Sequence, residues 1–100
     1  MTKITKNFVL KAIYDALFKL EVGGSKLEKH LLSLDVETGH FTYGDKIPAN
    51  LLIAKVDEGA KLNAPFQLIL SSSFLSTDEM WSLNDVVQNA LGNHVEITLD

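Results

Sequence analysis

From Thr5 to Leu20 the chain reads TKNFVLKAIYDALFKL, a run whose apolar residues cover most of the circumference of a helix. At about 100° per residue, Phe8, Ala12, Ala16, Val9, Leu20, Ile13, Leu17, Leu10, Tyr14 and Phe18 follow one another around the axis, and only Lys11, Asp15 and Lys19 hold a polar strip. A helix at the surface of a small domain ordinarily buries a single stripe. This one needs cover on two sides, a sheet on one and either more of the chain or a partner on the other.

The residues that follow offer an internal cover. Gly23 and Gly24 suit a helix C-terminus, and Ser25-Lys26-Leu27-Glu28 has the spacing of a capping box, in which the serine and the glutamate satisfy each other's free backbone donors. A second, short helix starting there would align Leu27, His30, Leu31 and Leu34 on one face, so the expectation is an N-terminal helical hairpin.

From Leu34 the period changes to two. Leu34, Val36 and Thr38 alternate with Asp35 and Glu37, a turn is expected at Thr38-Gly39, and His40 to Tyr43 returns as the second arm of a short hairpin. Gly44-Asp45-Lys46 is a further turn signal. The stretch from Ala49 to Glu58 has helical spacing at Ala49, Leu52, Ile53 and Val56, with Pro48 at the first position. Its charges oppose a helix dipole, however, with Lys46 before it and Asp57 and Glu58 at its end. It is taken as a strand, paired through a turn at Asp57-Glu58-Gly59 with Phe66 to Ser71, and Pro65 is expected at the start of that next strand. Phe66, Leu68, Ile69 and Leu70 are apolar on both faces, which places their strand in the middle of a sheet. Thr77-Asp78-Glu79 opens a helix with the buried stripe Met80, Leu83, Val87 and Leu91, and Gly92 closes it. Val95, Ile97 and Leu99 then alternate with polar residues as a C-terminal strand.

These elements predict a small single α+β domain over residues 1–100: the helical hairpin, an antiparallel sheet of about four or five strands, one late helix (77–91) and the C-terminal strand. The late helix is long enough to carry a crossover, and in that case the last strand runs parallel to Phe66 to Ser71. At 100 residues a chain buries roughly 65% of its unfolded surface, enough for one core without metal or disulfide. The Lys residues near the N-terminus precede an apolar run broken by Lys11, Asp15 and Lys19, which does not have the form of a signal peptide. With no cysteine, thiolate chemistry and disulfide frameworks are excluded, and a cytoplasmic location is the default expectation. The formal charge is −4 and the basic residues are all lysine, so a nucleic-acid surface is not expected, and no apolar run is long enough for a membrane helix.

Chemistry is hard to find. His30 sits among leucines and is expected to be partly buried, and His94 belongs to a loop. His40 lies near Glu37, Tyr43 and Asp45 without a recognised ligand spacing. Ser71-Ser72-Ser73 follows an apolar strand but has no identifiable base. No phosphate loop, nucleophile elbow or zinc-helix motif is present. Catalytic, cofactor-binding and metal-binding residues are therefore not expected.

The expected function is non-catalytic. A small acidic regulator, of the inhibitor, immunity or chaperone-like kind, would dock on another protein and pair as a homodimer through the first helix. Leu10, Tyr14 and Phe18 would form its contact ridge, with Trp81 as a second contact off the centre of the late helix's stripe. One alternative is a small enzyme or ligand-binding domain using His40 with Glu37 or Asp45. Another is a structural subunit of a larger assembly or virion.

Overall fold

The computed structural model describes residues 5–44, 47–58 and 66–100. Helix α1 runs from Lys6 to Leu17, with the Thr5 hydroxyl accepting from Phe8 N–H at 3.1 Å, and Phe18 already stands at its C-cap. It therefore stops before the two glycines.

Gly23 and Gly24 do not end a helix. They form the loop of a small hairpin between β1 (Glu21–Val22) and β2 (Ser25–Lys26), and both take positive φ (64° and 87°), as a two-residue type I′ turn requires. The expected second helix and its capping box are thus replaced by this hairpin, a single 3-10 turn over Lys29–Leu31, and strand β3 (Leu32–Asp35). His30 is exposed in that turn.

The rest of the order is as the periodicity implies. Strands β4 (His40–Tyr43), β5 (Ile47–Glu58) and β6 (Phe66–Ser71) are followed by helix α2 (Thr77–Leu91), a 3-10 turn (Gly92–His94) and β7 (Val95–Leu99). The stretch from Ala49 to Glu58 is a strand. Five strands form one sheet in the order β3-β4-β5-β6-β7, antiparallel except for the last pair, so α2 carries a parallel crossover and the sheet is mixed. The α+β class holds. Gly59, Pro65, Asp45 and Lys46, on which three of the turn and strand-start expectations rest, lie outside the described residues.

Both helices lie on one face of the sheet. Phe41, Leu52, Ala54, Phe66, Leu68, Leu70 and Val95 alternate inward and meet Val9, Leu10, Ile13, Ala16 and Leu17 of α1 and Met80, Leu83, Val87 and Leu91 of α2. Among the described residues no helix covers the opposite face. It carries Ser33, Asp35, His40, Ile53, Lys55, Gln67, Ile69 and Glu96, all partly or well exposed. β6 is interior as expected, although only its Phe66, Leu68 and Leu70 face is fully buried.

Two local devices hold this frame. Asp35 Oδ1 accepts from Glu37 and Thr38 N–H (3.0 and 3.4 Å), and Gly39 at φ 74° completes the turn. A side chain at Gly39 would fall on the Ala54 carbonyl oxygen, so glycine is demanded there by close approach of β5. Past Phe41 the β4–β5 register shifts from 41↔52 to 43↔47, and Leu51 and Leu52, adjacent in sequence, are both fully buried.

Candidate functional site

On α1 the expected ridge divides. Leu10 is fully buried (0% exposed) and so cannot belong to a contact surface. Tyr14 and Phe18 are half-buried and meet edge to face at 5.0 Å between ring centres. The Tyr14 hydroxyl donates to Leu32 O at 3.5 Å, and Lys29 Nζ lies 5.6 Å from the centre of the Phe18 ring. The second cover is therefore internal for this side of the helix. It is the 3-10 turn and β3 that supply it.

What α1 leaves uncovered is its opposite flank. Phe8 is 42% exposed, and with Ala12 and Ala16 it forms one wall of a furrow whose other wall is Val86, Ala90 and Leu91 of α2. Alanines along both helices keep the walls low. Lys11 and Asp15 of α1, with Lys19 just past its end, stand along the rim, so the furrow is apolar at its base and its rim carries one net positive charge, in a chain whose total is −4.

Its volume of about 240 Å³ falls below the usual range for small-molecule pockets, roughly 300–1,000 Å³. One or two large side chains would fill it. A more open trough of about 450 Å³ lies on the other side of α1, between Asn7, Lys11 and Tyr14 and the β3 residues Leu32 and Leu34 with Val36 of the turn that follows.

Trp81 is exposed (56%), as its position off the stripe suggests. By helical geometry it projects from the flank of α2 opposite Val86 and Ala90, so it does not line the furrow. Phe8, the residue that does, borders the polar strip of Lys11, Asp15 and Lys19 on the helical wheel, but Phe18 borders its other side in the same way, so the wheel alone does not choose between them.

His40 is half-buried on the uncovered face of β4, where its strand neighbours are Asp35 and Ile53. Glu37 is exposed in the turn, and Asp45 lies outside the described residues. Among the described residues no group of three or more His, Asp or Glu is placed to hold a metal. Of the serine run, Ser72 serves the fold. Its hydroxyl donates to Leu51 O at 2.6 Å and accepts from Phe74 and Leu75 N–H, tying the connection before α2 to β5. Among the described residues no helix is long and apolar enough to cross a membrane. Compared with family models, with curated proteins and with solved structures, the chain matches none.

Proposed function

We propose that this protein acts without catalysis, by docking on another protein in the cytoplasm, and that the furrow between α1 and α2 is its contact. The observation that carries the proposal is Phe8, a large aromatic left 42% exposed beside an apolar furrow with a basic rim. Aromatic anchors beside small apolar pockets are where binding energy concentrates. The partner that fits is an amphipathic helix, with large apolar side chains along the furrow and acidic residues reaching Lys11 and Lys19.

The test is affinity capture from the native host with the wild-type chain and with two variants, Phe8→Asp and Ala90→Trp, whose fold is checked by circular dichroism. Loss of the same captured protein in both variants supports docking here, with an affinity loss of roughly 30-fold or more for an anchor residue. Capture that survives both substitutions removes the furrow from consideration.

A further inference from the structure

Among the described residues no strand pairs with the outer side of β3, and we propose that a second copy of this chain does, joining two five-stranded sheets into one. The two β3 strands run antiparallel about a twofold axis at Leu34. This contact is independent of the furrow, which lies on the other side of α1.

The direction of the backbone groups decides which residues of β3 are free to pair. Gly44 N–H donates to Leu31 O at 2.8 Å, and the register continues Leu32↔Tyr43, Ser33↔Thr42, Leu34↔Phe41 and Asp35↔His40. Antiparallel pairs alternate, so Leu31, Ser33 and Asp35 turn their backbone groups toward β4, and Leu32 and Leu34 turn theirs outward. The Leu32 carbonyl accepts from the Tyr14 hydroxyl at the long limit of 3.5 Å. The Leu32 N–H is already given to Lys29 O. Leu34 keeps both its donor and its acceptor for a partner.

The sequence around Leu34 is complementary to itself. With Leu34 opposite Leu34, Leu32 of one copy faces Val36 of the other, and Ser33 faces Asp35. The two Leu34 residues exchange both backbone hydrogen bonds, and Val36, the first residue of the turn after β3, adds its side chain at the end of the paired segment. On the helix side, Leu32, Leu34 and Val36 of both copies close the trough against Tyr14, and Val36, 46% exposed in the single chain, is covered. On the uncovered side no like charges are opposed.

Neighbouring registers fail. A shift one way sets Leu34 against Leu32, whose N–H is already spent, and a shift the other way sets Asp35 against Asp35. An unrelated extended segment would find the same free backbone groups, but only the chain's own strand brings this match of apolar with apolar and serine with aspartate.

The contact is short, so association in the micromolar range is expected, and sedimentation equilibrium from about 1 to 500 µM should show a monomer–dimer equilibrium. Ser33 is exposed and each substitution there acts twice across the twofold. Ser33→Lys, now facing Asp35, should tighten the dimer roughly 2- to 30-fold, and Ser33→Asp should weaken it by a similar factor. Val36→Asp should abolish it, with circular dichroism confirming an unchanged fold, and Phe8→Asp should leave it intact. A chain that stays monomeric throughout, or a dimer that the two Ser33 variants do not move in opposite directions, overturns the proposal. So does a monomer whose edge instead takes up an extended peptide, which would assign β3 to a foreign strand.

Discussion

α1 and α2 lie side by side on the same face of the sheet but are held by different means. α2 keeps to one stripe, Met80, Leu83, Val87 and Leu91, and is secured at its start by its own side chains. Ser76 Oγ accepts from Glu79 N–H at 3.2 Å, Ser76 N–H donates to Glu79 Oε1 at 2.8 Å, and Asp78 and Glu79 complement the dipole. α1 has the single Thr5 cap, no acidic residue in its first turn and no basic residue in its last. Five of its twelve residues are buried, and others, Ala12 and Tyr14 among them, are partly covered. One helix is specified by its own ends and the other by what surrounds it.

Truncating the core side of α1 should therefore have the largest effect. Leu10→Ala is expected to cost about 2–5 kcal/mol in denaturant unfolding, through lost transfer energy and the cavity left behind. Trp81→Ala, on the exposed flank of α2, should cost no more than about 1 kcal/mol. Equal costs would break the contrast between the two helices.

Removing the caps sharpens it from the other side. Ser76→Ala should cost about 1 kcal/mol, because the Glu79 N–H loses its acceptor and the reciprocal bond loses its brace. Thr5→Ala, which removes one hydrogen bond from a helix held by packing, should cost less in the same unfolding experiment.

The smallest effect is a pH dependence centred on Glu79. Ser76 backbone N–H holds the Glu79 carboxyl below the ordinary glutamate range. Desolvation opposes this, and Gly23 N–H and the Ser76 hydroxyl add to it. A carboxyl whose value is lowered by folding contributes stability above its unfolded value and loses that contribution as pH falls through the folded one. Wild type should thus exceed Glu79→Gln in stability near neutral pH, and the gap should close as the pH falls below the ordinary glutamate range and through the lowered folded value. A gap that does not change with pH would detach Glu79 from the cap.

The N-terminal quarter shows where sequence signals compete. Ser25-Lys26-Leu27-Glu28 satisfies a capping-box pattern as well as Ser76-Thr77-Asp78-Glu79 does, yet only the second caps a helix. The first is preceded by Gly23-Gly24, which is itself the preferred loop of a two-residue hairpin. That dipeptide was the available sign against a second helix. The expected ridge lost Leu10 for a related reason. A wheel shows how much of α1 is apolar but not which part meets its own chain, and Leu10 went to the core while Phe8 stayed at the surface.

Local signals that agree were enough for the body of α1, the α2 stripe with its acidic first turn, the alternation of β7 and the turn at Gly39. In each, period, charge and turn chemistry point the same way within a few residues. The path of residues 27–33, the β4–β5 register shift that buries Leu51 beside Leu52, and the side of α1 that faces water were settled by tertiary contacts. A short isolated helix is marginal, and a strand that pairs with β4 while burying Leu32 against α1 outweighs it. That comparison involves residues far apart in the chain, and no local pattern contains it.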